Sequence, residues 1–193
     1  MLLLILGLIL FLGVHSTRLF APEWRAKQIA AKGLMAWKGM YALASIVGLV
    51  LIIYGYGQAR LDPTWLWVSP VWTRHLAALL TIPAFILLAA TYIPGTCMKA
   101  RVGHPMLLGV KFWALAHLLA NGTLADLLLF GGFLAWAVAF FVVSRKRNCL
   151  AGVSYGKGKQ ARAAVADIVG LVAWATLSSL LPGVLIGVQP TGW

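Results

Sequence analysis

Long apolar stretches constrain this chain more than any other feature of its sequence. The first of them, LLLILGLILFLGV at residues 2–14, contains no polar side chain, and 62% of the 193 residues are hydrophobic. A water-soluble domain of this size needs more polar surface to cover its core, whereas roughly 18 apolar residues in a row predict a helix that crosses a bilayer. The sequence therefore predicts an all-α, polytopic transmembrane helical bundle, folded as a single integral membrane domain over residues 1–193.

Six segments have the length and composition of membrane-spanning helices. The fourth is the weakest, because Lys111 interrupts its apolar run and leaves the charge-free part short. A bundle of five spans, in which the last segment is peripheral, is the alternative. The six predicted spans are residues 2–20, 39–58, 75–93, 105–121, 124–143 and 165–188.

The basic residues indicate how the bundle is oriented. The net charge is +12, and fourteen of the sixteen Lys and Arg residues lie in or beside the first, third and fifth connections between spans. This alternation follows the positive-inside rule, so these connections are predicted to be cytoplasmic and both termini to lie on the outer side. Basic connections of this kind contact anionic lipid headgroups, and we expect the bilayer rather than a nucleic acid as the partner.

Acidic residues are too few for most carboxylate chemistry. The chain has only four, Glu23, Asp62, Asp126 and Asp167, and all lie near the ends of predicted spans. No pair of carboxylates therefore falls within the membrane, which argues against a proton relay, a di-metal carboxylate site and glycosidase chemistry.

The four histidines are the remaining candidates for a chemical role. His15 lies in the first predicted span and His117 lies deep in the fourth, where an ionisable side chain is costly and by default suggests function. His75 and His104 lie at span ends, where a structural or interfacial role is favoured. At about 100° per residue, thirteen residues place His104 and His117 roughly 140° apart, so they cannot face one pocket from a straight helix. Lys111 falls on the His104 face.

The surroundings of His15 and His117 suit a flat, anionic cofactor. Neutral imidazole is a common axial ligand of haem iron, and Arg18, close to His15, can pair with a propionate. Two histidines buried for unrelated structural reasons would give the same pattern. His117 shares a helix stripe in which small residues leave room for a flat partner, and in which Trp113 and Asn121 are the candidate pocket residues. That stripe consists of Gly109, Trp113, Ala114, Ala120 and Asn121.

Three stretches resemble the NnrU family of bacterial membrane proteins. They are GVHSTRLF at 13–20, GMYALASIVGLVLIIYGYGQAR at 39–60 and GHPMLLGVKFWALAHLLANGTLAD at 103–126. The NnrU-like region covers about residues 1–147 and leaves an additional C-terminal helix at about 165–188. The resemblance implies a multi-pass protein of the bacterial inner membrane, with periplasmic termini, that supports nitrite and nitric oxide reduction in denitrification.

The NnrU family is in turn similar to zeta-carotene isomerase, a membrane enzyme with a b-type haem. The resemblance implies that the two axial histidines of that enzyme correspond to His15 and His117, and that the histidine of its HP pair corresponds to His104. Ala114 stands where the isomerase has a cysteine proposed as an exchangeable ligand, so exchange by that route is not expected. His75 has no counterpart there, and it joins His104 as an alternate ligand.

The expected function is therefore haem b binding with a redox or isomerase-like role, acting on a lipidic substrate or with a respiratory electron-transfer partner. Whether the protein is an enzyme stays open. The alternative is a cofactor-free accessory protein that assembles or stabilises a respiratory reductase. The HP…G pattern of His104, Pro105 and Gly109 also resembles membrane methyltransferases, but the loop at 144–162 lacks the acidic residues that those enzymes use.

Overall fold

The computed structural model describes residues 1–179. Within that range the chain forms eight α-helices and no strand, which confirms the all-helical prediction. In chain order the helices are α1 (Leu2–Phe20), α2 (Pro22–Lys32), α3 (Leu34–Leu61), α4 (Val71–Tyr92), α5 (Cys97–Val102), α6 (Pro105–Ala120), α7 (Leu124–Leu150) and α8 (Gln160–Ser179).

Five of these helices, α1, α3, α4, α7 and α8, are long and apolar enough to cross a membrane. The chain is thus a multi-pass membrane protein in contact with lipid. The 16 residues of α6 extend about 24 Å at 1.5 Å per residue, less than the roughly 30 Å of a hydrocarbon core. The five-span alternative takes the last segment as the one that does not cross the membrane. That is wrong, because α8 is long and apolar enough to cross it and the short helix is α6.

Two short helices, α2 and α5, lie in segments predicted as connections. α2 begins at Pro22, whose fixed φ suits the first helical position, and it ends at Gly33, where φ is 83°. α5 begins after Thr96, whose hydroxyl accepts a hydrogen bond from the Lys99 backbone N–H at 3.2 Å. The loop expected at 144–162 shortens to residues 151–159, because α7 continues to Leu150.

The alternating helices place their connections at two ends of the bundle. At one end, the backbone N–H of Lys159 donates to the carbonyl of Gly95 at 2.9 Å. At the other, the backbone N–H of Leu66 donates to the carbonyl of Gly122 at 2.8 Å. We name the first the basic end, because connections 21–33, 93–104 and 151–159, together with the helix ends beside them, carry most of the cations. We name the second the opposite end.

Glycines allow α1 and α3 to approach closely. A Cβ atom at Gly7 would lie 2.7 Å from the backbone nitrogen of Ile52, and one at Gly48 would lie 2.9 Å from that of Phe11. Since apolar lipid provides no hydrophobic drive between helices, close backbone contact through small residues stabilises such pairs.

Gly109 has the same role between α4 and α6. A Cβ atom there would lie 2.9 Å from the carbonyl oxygen of Ala84, which is itself fully buried. The expectation that Gly109 leaves room for a flat partner is therefore wrong, because α4 fills that space.

α7 joins two groups of helices. α1 and α3 form one group and α4, α6 and α8 the other, while α7 packs against α1, α3 and α6. Within residues 1–179, neither α1 nor α3 packs directly against α4 or α6. The apolar core, which includes Leu4, Leu8, Ile52 and Phe130, lies between the first group and the N-terminal half of α7. The basic end consequently stays more open than the opposite end.

Candidate ligand cavity at the basic end

A cavity of about 810 Å³ opens at the basic end. α1, α3, α6 and α7 supply most of its walls, and α2 and the 151–159 connection contribute to its rim. Five aromatic residues line it, Trp37, Tyr41, Trp136, Phe140 and Tyr155, together with five cations, Arg18, Arg25, Lys38, Lys99 and Arg147. No acidic side chain of the described chain lines it. Such a cavity suits an amphipathic ligand with an apolar body and acidic groups.

His15 enters this cavity from the last third of α1. Its Nδ1 lies 2.7 Å from the carbonyl oxygen of Phe11. Because a carbonyl can only accept, Nδ1 carries a proton, and in the neutral ring the lone pair is then on Nε2. The ring is held between Phe11 and Tyr41, at centroid distances of 4.2 and 5.3 Å. An imidazole fixed through one N–H, with the other nitrogen available, is the usual arrangement of a metal-ligating histidine.

His104 lines the same cavity, immediately before α6. Its Nε2 lies 3.1 Å from the side-chain nitrogen of Asn148, and the Asn148 amide also donates to the Tyr155 hydroxyl at 2.7 Å. Burial lowers the pKa of His104, and the positive charge of neighbouring arginines lowers it further. The neutral imidazole is therefore favoured, with its Nε2 lone pair directed to an amide donor.

His117 lies in different surroundings, near the opposite end of α6. Its ring stacks on Phe130 with a centroid distance of 4.5 Å and an interplanar angle of 9°, and it meets Trp113 edge-on at 5.4 Å. It does not line the cavity. The structure thus brings His15 and His104 to one cavity, and His117 does not line it.

Aromatic rings fill the space between His15 and His117. Phe11, beside His15, lies 5.8 Å from Phe133 between centroids, and Phe133 lies 5.5 Å from Trp113, which contacts His117. Trp113, predicted as a pocket residue, is therefore part of the packed aromatic interior and does not line the cavity.

The other predicted site residues separate into one cavity residue and two outside it. Arg18 is exposed and lines the cavity, as a partner for a ligand carboxylate requires. Asn121 ends α6, where its side-chain amide donates to the backbone carbonyl of His117 at 3.0 Å. His75 is exposed near the start of α4, at the opposite end.

Lys111 and His104 share one face of α6, as predicted. The Lys111 Nζ lies 3.8 Å from the ring centroid of Phe141, and the His104 ring lies 6.2 Å from it. The guanidinium carbon of Arg145 is 5.8 Å from the same centroid. Lys111, Phe141 and Arg145 do not line the cavity.

One polar contact beside His15 is absent from the sequence prediction. The indole N–H of Trp136 donates to the Ser16 hydroxyl at 2.9 Å, which connects α7 to the residue that follows His15. The HS pair in the first span could have indicated this contact, since a serine within a membrane helix often forms a hydrogen bond with a neighbouring helix. Its partner depends on which helices are adjacent.

A second unpredicted polar cluster lies at the opposite end. Asp126, only 4% exposed, accepts hydrogen bonds from the Tyr56 hydroxyl at 2.6 Å and from the Thr123 backbone N–H and hydroxyl at 3.0 and 2.6 Å. The T-x-x-D spacing at 123–126 is a capping box before an apolar run and could have indicated the local half of this cluster.

The connection 151–159 contains GVSYG at 152–156, which has the G-x-S-x-G spacing of hydrolase nucleophile loops. That motif requires a strand before the serine, with a histidine and a carboxylate close by. Here it follows α7, and Ser154 is exposed. In the described part of the chain the Ser154 hydroxyl donates no hydrogen bond to a histidine, so the spacing does not indicate a nucleophile.

The metal-ligand candidates are single histidines or pairs. In the part of the chain that the structure describes, no three His, Cys, Asp or Glu side chains group closely enough to hold a metal ion. Haem iron requires only one or two protein ligands. His15 and His104 are the pair that lines one cavity.

The fold and the site define a class, a multi-pass helical membrane protein with an aromatic, cationic cavity at one end. A family model described as NnrU protein matches residues 3–190. The chain belongs to the NnrU family, and the match includes α8 as well as the three stretches quoted above. No curated protein and no solved structure matches the chain.

Proposed function

We propose that this NnrU-family protein binds a b-type haem in the cavity at the basic end, with His15 as an axial ligand. The observation that carries the proposal is the geometry of His15. Its Nδ1–H is engaged by the Phe11 carbonyl at 2.7 Å, its Nε2 is left available, and the side chain lines a cavity of about 810 Å³.

The charges and rings around His15 fit the remainder of such a ligand. Arg18 and Arg147 are cavity residues that would pair with propionates, since guanidinium groups bind carboxylates with two parallel hydrogen bonds. Trp136 and Tyr41 would pack against the apolar macrocycle and exclude water from Nε2 of His15.

The family resemblance and the cavity favour different residues as the second axial ligand of the haem. The resemblance assigns it to His117, and that assignment stays a prediction. The cavity favours His104, because it lines the same space as His15 and directs a lone pair to an exchangeable amide of Asn148. We expect His104 to be the second ligand, with the Asn148 amide displaced from its Nε2.

A haem between two imidazoles supplies one-electron chemistry. We propose a redox or isomerase-like role in the bacterial inner membrane that supports nitrite and nitric oxide reduction. A lipidic substrate or an electron-transfer partner would approach at the basic end. A cofactor-free accessory protein for a respiratory reductase is the competing function, and the following experiment separates the two.

The test is an optical spectrum of the protein purified in detergent from haem-replete cells. We expect a Soret band and the sharp reduced bands of a bis-imidazole b-type haem, and loss of haem from His15→Ala. His75→Ala, which alters an exposed histidine at the opposite end, is the matched control and should keep the spectrum. Colourless wild-type protein would refute haem binding and favour the accessory function.

Two further variants identify the second ligand. His104→Ala should convert the spectrum to a five-coordinate form, while His117→Ala should retain the six-coordinate form. The reverse outcome would support the pair implied by the resemblance. Arg18→Gln should weaken haem retention, and Arg74→Gln at the opposite end should not. Size-exclusion elution of each variant checks that it is folded.

A further inference from the structure

We infer that Lys111 and Arg145 form a binding site for the phosphate of an anionic phospholipid, on the α6–α7 surface at the basic end. The two cations share one aromatic ring, since Lys111 Nζ lies 3.8 Å and the Arg145 guanidinium carbon 5.8 Å from the centroid of Phe141. Both side chains are flexible enough to converge on a single headgroup. The site is separate from the cavity, which none of the three residues lines.

The depth of Lys111 favours an anionic partner. It lies six residues after Pro105, about 9 Å into α6, and the nine residues that follow it extend only about 13 Å. A lysine at this depth is costly to keep in hydrocarbon, and its amine reaches towards the headgroups. The ring of Phe141 offsets part of that cost through a cation–π contact, but it cannot neutralise the charge.

In the part of the chain that the structure describes, no carboxylate is placed to neutralise this site. Between residues 97 and 159 the only acidic residue is Asp126, and it is engaged by Tyr56 and Thr123. Asp126 also lies fifteen residues from Phe141, about 22 Å along α7. Asp167 belongs to α8, which packs against α4 and α5 and not against α6 or α7.

The surface beside the two cations suits an acyl chain. Val142 follows Phe141 and is 59% exposed, and Val138, one turn earlier on α7, is 43% exposed. This surface therefore offers positive charge to a phosphate and, beside it, apolar side chains to hydrocarbon. A phospholipid carries both groups, whereas free phosphate carries only the first. Anionic lipids are abundant in the cytoplasmic leaflet, where the basic end is predicted to lie.

The test is lipid retention measured by native mass spectrometry of protein from nanodiscs of phosphatidylcholine with phosphatidylglycerol. Wild-type protein should retain phosphatidylglycerol. Lys111→Gln and Arg145→Gln should each lower its retention roughly fivefold, and the double variant should lower it roughly 25-fold. Lys111→Arg keeps the positive charge and should retain phosphatidylglycerol as the wild-type protein does.

The matched control is the double variant Lys146→Gln/Lys157→Gln. It removes two exposed cations at the same end and leaves Lys111, Phe141 and Arg145 unchanged. An equal loss in this control would overturn the site, since retention would then follow net charge alone. Unchanged retention in the Lys111→Gln/Arg145→Gln variant would also overturn it. Competition by inorganic phosphate as strong as that by phosphatidylglycerol would show that the ligand is a free anion and not a lipid.

Discussion

The hydrogen bond between Tyr56 and Asp126 gives the sharpest test of how the two helix groups are joined. Tyr56 lies on α3 and Asp126 on α7, and the hydroxyl and the carboxylate oxygen are 2.6 Å apart. Tyr56→Phe removes the donor without changing the shape of the ring. Asp126 keeps two hydrogen bonds from Thr123, so the change deletes one charge-assisted bond and does not leave the carboxylate unpaired.

The expected magnitude follows from two limits. Hydrogen bonds to charged groups contribute about 1.5–3 kcal/mol in proteins, and bonds between membrane helices average about 0.6 kcal/mol with a maximum of about 1.7. Because Asp126 is 4% exposed, the value should lie towards the upper part of the membrane range. We expect Tyr56→Phe to lower the free energy of unfolding by about 1–1.5 kcal/mol.

The assay is equilibrium unfolding in mixed micelles of dodecyl maltoside and dodecyl sulfate, followed by circular dichroism. Tyr54→Phe is the matched control, because Tyr54 lies two residues away on α3 and is 58% exposed. It should change the free energy of unfolding by less than about 0.5 kcal/mol. If the two substitutions have equal effects, the inference that this bond fastens α3 to α7 is refuted.

Three further predictions use the same unfolding assay or the optical spectrum. Burial lowers the pKa of His104 below its usual 6.5. The stability that the neutral His104 contributes to the fold is therefore present above about pH 6.5 and is lost as the pH falls through the lowered pKa. Wild-type protein should accordingly lose more stability on acidification than His104→Ala, and equal pH slopes would contradict this. Gly7→Ala should lower the free energy of unfolding by about 1–3 kcal/mol, because the added methyl group overpacks against α3. Gly57→Ala is the control and should not lower it, because a Cβ atom there would have no atom within 4 Å. Similar effects of the two substitutions would rule out the close α1–α3 contact. Asn148→Ala should raise the affinity for haem, measured by optical titration, because Nε2 of His104 no longer has to be released from the amide. An unchanged affinity would show that Asn148 does not hold that nitrogen.

Much of the fold could be predicted because its signals are local. Each of the six predicted spans coincides with a helix, although residues 180–188 of the last one lie outside the described part of the chain. The weakest span, interrupted by Lys111, is the helix that is too short to qualify as a span. The short helices α2 and α5 were missed, since each is defined by a terminating glycine or a capping threonine and has no long apolar run.

The site was predictable only in part. His15 and Arg18 do line one cavity, and His104 lines it as well, whereas His117 does not. The preference for His117 over the alternate His104 could not be tested by helical geometry alone, because a single helix gives the direction of a side chain and not what lies opposite it. Trp113 shows the same limit, since its partners Phe130 and Phe133 are on α7.

The amino-acid sequence by itself determined that the chain is helical and lies in a membrane, where its helices begin and end to within several residues, and which end is basic. Those properties depend on the apolarity, charge and backbone preferences of neighbouring residues. Only the tertiary structure decided that α7 separates two helix groups, that His15 and His104 share a cavity, and that Tyr56 meets Asp126. Each of these depends on which helices are neighbours. Contacts between residues distant in sequence select the neighbours, and the close approaches at Gly7 and Gly109 are two such contacts.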